Sequence, residues 1–171
     1  MATSTTPTPK QQFLASYERE HATTMRVLRA YPTDKLDLRP HPKCKTAREL
    51  AWMFVLERGL GTRVMNNEFA KGVPSGAPSS PPESWQDILG ALEKAHKDFA
   101  DLVASIPDDK MFDPVKFFTA PKTLDDIPGL DFLWFLLGDQ IHHRGQFSIY
   151  LRMADARVPS IYGPSADEKW F

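Results

Sequence analysis

Fifteen prolines in 171 residues constrain this chain more than any other feature, because a proline inside a helix removes a backbone donor and clashes with the preceding turn. They fall at Pro7 and Pro9, Pro32 to Pro42, Pro74 to Pro82, Pro107 to Pro128, and Pro159 and Pro164. Four long windows stay free of them, and each carries apolar residues at helical spacing. Helices are therefore expected near residues 10 to 31, 46 to 70, 83 to 106 and 128 to 155.

In the first window Leu14, Tyr17, His21, Thr24, Leu28 and Tyr31 recur at steps of three and four, one face of an amphipathic helix. The second opens on Thr46 with Glu49 three residues on, the pattern of a capping box, and continues through Leu50, Met53, Phe54, Glu57 and Leu60. Gly59 and Gly61 each weaken that helix by roughly 1 kcal/mol against alanine, which predicts a kink or a close helix contact. The third aligns Trp85, Ile88, Leu92, Ala95, Phe99, Leu102 and Ile106, with Lys94, Lys97, Asp98 and Asp101 elsewhere and His96 read as a solvated member of the charged face. The fourth, Leu130 to Met153, is the most apolar stretch. No window has a strong strand alternation, so the fold class is all-α, a four-helix bundle in a single domain, residues 1 to 171. The 107 to 128 connection is too long for a plain loop, and its Val115-Lys-Phe-Phe118 reads as a short extended piece or a cover over the bundle end. Gly72 to Pro82 reads as a crossover loop, and the tail after Pro159 as packing back on the bundle through Tyr162, Trp170 and Phe171, or as a lid.

Composition removes several function classes. A net charge of -1 leaves no electrostatic footprint for nucleic acid or anionic membrane. One cysteine, Cys44, excludes an internal disulfide and a Cys-x-x-Cys knuckle and suits a reducing cytoplasm. The start of the chain reads as a polar tail, and no stretch is long and apolar enough to span a membrane. The expectation is a soluble, cytoplasmic protein.

Chemistry concentrates in Asp139-Gln-Ile-His-His-Arg-Gly-Gln146, which interrupts the apolar fourth helix. Phe132, Leu136, Asp139, His143, Phe147 and Tyr150 share one stripe, so a carboxylate and an imidazole one turn apart lie among core residues. Two readings stand: a metal or acid/base site, or a structural pair, either a buried Asp139–His143 hydrogen bond or two side chains facing solvent at the bundle mouth. Adjacent residues point about 100° apart, which gives His142 a different role from His143.

His142-His-Arg-Gly-Gln146, Tyr150-Leu-Arg152 and Val158-Pro-Ser-Ile-Tyr-Gly-Pro-Ser-Ala-Asp167, with Val27-Leu-Arg-Ala-Tyr-Pro32, Arg39-Pro-His-Pro42 and Ala47-Arg-Glu-Leu-Ala-Trp52, resemble the DinB-like (DNA-damage-inducible) four-helix-bundle family. The resemblance implies an up-down-down-up bundle, frequent homodimers and, in many members, a divalent metal held by three histidines, one from the second helix and two spaced four apart from the last. It implies thiol-dependent transferase or metal-dependent hydrolase activity in some relatives. This chain departs at the ligands: the second-helix position falls at Met53, the first last-helix position at Asp139, and only His143 is kept. A thioether is a poor ligand for zinc, nickel or manganese, and a carboxylate a good one.

A rebuilt site can be drawn from Glu57, one turn beyond Met53, with Asp139, His143 and His21; such nitrogen and oxygen donors suit manganese, iron or zinc. The bland alternative pairs Asp139 with His143 and Glu57 with Arg58 or another exposed base, and leaves His21 a satisfied core residue. Met53, Arg144, Gln146 and Tyr150 are expected to line a substrate pocket, with a structural acid the alternative partner for Arg144 and a loop carbonyl for Gln146. Gly145 is expected to admit another backbone, and Cys44 to sit near a helix start that can lower its pKa. A metal-dependent hydrolase or transferase, a small-molecule binder without catalysis, and a metal-free bundle acting through dimerisation or partner contacts all remain open. Homodimerisation is further expected because Leu133, Trp134, Leu137 and Ile141 make the last helix apolar on more than one side, unless the other helices cover them.

Overall fold

The computed structural model describes residues 6–74 and 79–171; the first five residues of the polar start and the middle of the Gly72 to Pro82 connection lie outside the described residues. The chain is mostly helical. Helix α1 spans Pro9–Arg29, α2 Ala47–Met65, α3 Trp85–Ser105 and α4 Gly129–Met153, one in each proline-free window. Thr46 and Glu49 form the expected capping box, and Thr8 with Gln11 forms another at α1. Helix α2 stops short of the expected residue 70 because Asn67 turns left-handed at φ 58°, a conformation asparagine tolerates; a 3-10 turn, Glu68–Lys71, follows.

The all-α expectation needs one correction. Strands β1, Pro114–Ala120, and β2, Thr123–Pro128, pair antiparallel. Val115 and Phe117 alternate inward from β1, and Lys122 takes φ 63° in the tight connection. β-branched and aromatic residues suit a half-buried pleat, and Phe117 packs edge-on against Phe132 of α4 with ring centroids 4.8 Å apart.

Helix α1 packs on α3 and α4, and α2 packs on the same two, so α1 and α2 face each other across the bundle diagonal. Gly61 explains how closely α2 approaches its neighbours: a Cβ there would lie 2.7 Å from both Leu136 Cδ2 of α4 and Phe99 Cζ of α3. Gly59 faces open space. At one end Tyr150 donates to the Lys45 carbonyl at 2.7 Å; at the other Lys10 reaches the Ile106 carbonyl at 2.7 Å.

Two apolar clusters make the core, one around Leu28, Phe54, Leu92 and Phe147 and one around Tyr17, Val64, Phe99 and Leu136. On every helix the residues between them are polar: His21 and Thr24 on α1, Glu57 and Arg58 on α2, His96 on α3, Gln140 and Arg144 on α4. The reading of His96 as solvated is wrong. It is buried, its ring stacks on His21 with centroids 3.6 Å apart and on Tyr17 at 4.3 Å, and its Nε2 donates to Glu18 at 2.9 Å. The flanking charges Lys94, Lys97, Asp98 and Asp101 are exposed as expected; a helix of this length places one polar residue inward wherever facing helices offer a partner. The tail is held mainly by polar contacts: Arg152 pairs with Asp167 at 2.8 Å and Trp170 Nε1 donates to Ser160 at 2.7 Å, while Tyr162, Trp170 and Phe171 stay exposed.

Two outcomes follow from this packing. Gly61→Val should destabilise the protein by about 1–3 kcal/mol through overpacking, whereas Gly59→Ala should stabilise it by up to about 1 kcal/mol; urea midpoints at unchanged slope read both. Burial first, then neighbouring His96 and Arg58, pushes His21 down to about 3, and burial, then Arg58, pushes His96 down to about 4, from a usual 6.5. The unfolded chain therefore binds more protons, so this stability is fully present above pH 6.5 and is lost as pH falls toward 4 and 3. In His21→Gln/His96→Gln the fall in urea midpoint from pH 7 to pH 4 should be shallower; an equal fall would show that the stack does not supply it.

Candidate functional site

Glu57 of α2 and Asp139 and His143 of α4 each bring one donor atom into a group whose members all lie within 4.8 Å of one another. The one-turn spacing on α4 places Asp139 and His143 on the same side, and the seam with α2 brings Glu57 opposite them. His143 Nδ1 donates to Glu57 Oε1 in a short contact. Asp139 Oδ2 lies 4.0 Å from the same nitrogen, too far for the Asp139–His143 hydrogen bond of the bland reading. The bland pairing of Glu57 with Arg58 is also absent. Arg58, 1% exposed, donates instead to the Phe54 carbonyl at 2.7 Å and sits over the Tyr17 ring.

Glu57 is nearly dehydrated while Asp139 is the most open of the three. Burial pushes the Glu57 carboxyl up, opposed by His143. The Glu57 hydrogen bond holds His143 above its usual value against burial. Glu57 and His143 are thus both held toward their protonated forms, the first by burial and the second by the Glu57 hydrogen bond. Glu57 Oε2 is buried with no hydrogen-bond partner among the described residues, and such an orphaned acceptor is costly unless something answers it. A divalent cation would do so, and the donor set of two carboxylate oxygens and one nitrogen fits such an ion by charge and by chemistry.

His21 does not join this group. Its ring lies against His96, and its Nδ1 is 3.5 Å from Arg58 Nη2; burial near a guanidinium makes it a neutral core residue, as the bland account of it held.

Beside His143 opens a cleft of about 420 Å³, lined also by Pro40, Cys44, Lys45, Leu50, Gln146, Ile149 and Tyr150. Gln146 and Tyr150 are among the residues that border it. Among the described residues Gln146 meets no loop carbonyl; its amide lies 2.8 Å from His142 Nε2, one turn back on the solvent side. Met53 lies elsewhere, lining a smaller cleft of about 270 Å³ with Glu49 and Trp52, because the next turn of α2 carries Glu57, not Met53, to α4. Arg144 does not line the cleft either. It is 1% exposed, faces α1, and pairs with Glu20 at 2.7 Å and with the Tyr162 hydroxyl at 2.6 Å; one guanidinium thereby locks the tail to α1. A Cβ placed on Gly145 would meet nothing within 4 Å among the described residues, so none of their backbone approaches this glycine closely. Cys44, exposed, lines both clefts with Lys45. Lys45 carried no signal in the sequence beyond its place just before a capping box.

The sequence matches the DinB family over residues 1–170. It is 30% identical over 160 residues to the uncharacterised protein YrdA of Bacillus subtilis (strain 168), covering 92% of this chain and 90% of that one. In fold it is similar to a DinB-like protein from Bacillus cereus ATCC 10987 (TM-score 0.71, 24% identity, 88% of this chain and 95% of that one). It is also similar to the DinB-like YjoA of Bacillus subtilis (TM-score 0.65, 12% identity, 86% and 96%). Given that match along nearly the whole sequence, the chain belongs to the DinB family.

Proposed function

We propose that the protein, as one up-down-down-up bundle, binds a single divalent ion of the manganese, iron, zinc or nickel type through Glu57, Asp139 and His143, and acts as a metal-dependent hydrolase or transferase on a small molecule held in the adjoining cleft. The observation that carries this reading is the convergence of three donors within 4.8 Å around a buried, unpartnered carboxylate oxygen. The Tyr150–Lys45 and Lys10–Ile106 contacts support the helix directions.

Each residue has a definable part. Glu57 and Asp139 together carry the charge that a divalent ion neutralises, and His143 supplies the nitrogen that raises affinity for transition metals over magnesium or calcium. A bound ion of this kind supplies a water of lowered pKa or a polarised carbonyl. Tyr150, fixed by Lys45, forms a rigid wall, and Leu50 and Ile149 give the cleft an apolar lining, which suits a ligand with an apolar portion next to a polar reacting group.

A second reading is favoured by the His143–Glu57 contact itself, which satisfies the imidazole without an ion. In it the protein is a metal-free bundle that binds a small molecule in the cleft without catalysis.

Elemental analysis of untagged protein, incubated in turn with manganese, zinc, nickel and ferrous iron and then desalted, separates the two. Wild type and His142→Ala should retain about one ion per chain and His143→Ala should lose it, since His142 faces solvent. Ion at about a hundredfold over its Kd should stabilise wild type by about 2.7 kcal/mol and leave His143→Ala unmoved. Equal metal content in wild type and His143→Ala would remove this site, and no retained metal in either would favour the metal-free reading.

A further inference from the structure

The connection from α1 to α2 carries an unbalanced run of charge. Arg39-Pro-His-Pro-Lys-Cys-Lys45 holds three cations and no acid. The bases that flank the run are paired, Lys35 with Asp155 and Arg48 with Asp37, whereas Arg39, Lys43 and Lys45 are exposed and pair with no acid among the described residues. The segment that carries them is well anchored. Two prolines restrict its backbone, the Cys44 N–H donates to the His41 carbonyl at 2.8 Å, and the Lys43 N–H donates to His41 Nδ1 at 3.1 Å. The Tyr150 hydroxyl ties the Lys45 carbonyl to α4, and Lys45 thereby lines the same cleft of about 420 Å³ as His143. No carboxylate lines that cleft among the described residues, and Pro40, Leu50, Ile149 and Tyr150 give it an apolar wall. The Arg39 charge reaches the same place: burial raises the Tyr150 phenol and Arg39 opposes the rise, while Arg39 and Lys45 add to the Thr46 hydrogen bonds that hold Glu49 down.

We propose that the cleft takes a small organic anion, a carboxylate or phosphate on an apolar body, with its anionic group held by Lys45 in a field to which Arg39 adds. The apolar body lies on Leu50, Ile149 and Tyr150. This names the substrate class of the cleft and rests on the reading of it as the pocket of the Glu57, Asp139 and His143 site. An ammonium in open water is worth little to a ligand, but an anion that brings its own apolar body into the cleft displaces that water and strengthens the pair. A lysine is a compact point charge without the planar fork of arginine, so carboxylate and phosphate are both accepted. Holding the anion at the connection leaves the rest of the molecule to extend along the cleft toward His143. Lys45 is then a specificity residue: it selects anions over neutral or cationic molecules of the same shape.

Isothermal titration of the untagged full chain, treated with chelator and desalted, with octanoate, octyl phosphate, octanol and octylammonium tests this. Octanoate and octyl phosphate should each bind, octanol should bind roughly tenfold more weakly, and octylammonium should not bind. Lys45→Gln keeps the backbone carbonyl that Tyr150 uses and should retain the wild-type circular dichroism, yet weaken both anions by roughly tenfold with octanol unmoved. Arg39→Gln should weaken them less, and Lys97→Gln, exposed on α3, not at all. Raising salt to about 1 M, which shortens the screening length to about 3 Å, should remove most of the preference for anion over alcohol. No binding of either anion would overturn the proposal, as would equal affinity for octanoate and octanol, or a Lys45→Gln protein that binds the anions no differently from Lys97→Gln. Because the titrated protein is stripped of metal, these outcomes are separate from whether Glu57, Asp139 and His143 hold an ion, which elemental analysis reads.

Discussion

Burying ionisable groups in the middle of a helical bundle sets the terms for the rest of this structure. Glu57, Arg58, His96 and Arg144 are all buried, and a charge removed from water destabilises the fold by several kcal/mol unless another group answers it. Each answer ties helices together. Arg144 of α4 pairs with Glu20 of α1 and the Tyr162 hydroxyl of the tail, Arg58 of α2 reaches over the diagonal to Tyr17 and His21 of α1, and His96 of α3 reaches Glu18. The apolar clusters on either side supply the bulk of the burial, but they are permissive about register. The polar layer is not, because sliding any helix by one turn would strand a buried polar group.

Several atoms of that layer lack partners among the described residues, Arg58 Nε, His96 Nδ1, Gln140 Nε2 and Arg144 Nε with Glu57 Oε2, but at the candidate site the unanswered atom belongs to a carboxylate. Arg144 and His96 find acids at normal distances, whereas Glu57 keeps one oxygen without a donor and accepts from His143 in a corner that also contains Asp139. What sets this oxygen apart is its place beside two further donor groups and next to the cleft of about 420 Å³. Incomplete polar satisfaction and adjacent open volume coincide, which separates this corner from the His21–His96 stack, where burial simply keeps the imidazoles neutral.

Much of the fold was legible because proline and capping chemistry act locally. The windows between prolines hold the four helices, and Thr46 with Glu49 marked the start of α2 to the residue. The face of each helix was less certain: Phe13 is buried while Leu14, placed in the stripe from spacing alone, is only partly so, since a neighbouring aromatic can claim the groove. His96 was misread because a histidine among charges gives no sign of which helices will face it. Glu57, Asp139 and His143 were legible as a group because one-turn spacing on α4 and a lone acid on the core face of α2 survive any reasonable packing. Met53 was not, since its direction depends on which neighbour the helix turns toward, while for Arg144 the structural-acid reading is met by Glu20. Cys44 and Lys45 line the cleft through the path of a loop, and loop paths carry little periodic signal.

The last helix bears on how the protein is made as well as on what it does. The contact between His143 and Glu57 spans 86 residues of chain and that between Arg144 and Glu20 spans 124, and pairings of such sequence separation form late. During synthesis the first three helices emerge with Glu20 and Glu57 lacking their partners, and hydrated. Only when α4 docks are both acids drawn out of water, in one step and by two consecutive residues. Completion of the fold and creation of the site are then the same event, so a chain truncated before α4 is deprived of its pocket and of the contacts that make its polar layer tolerable together.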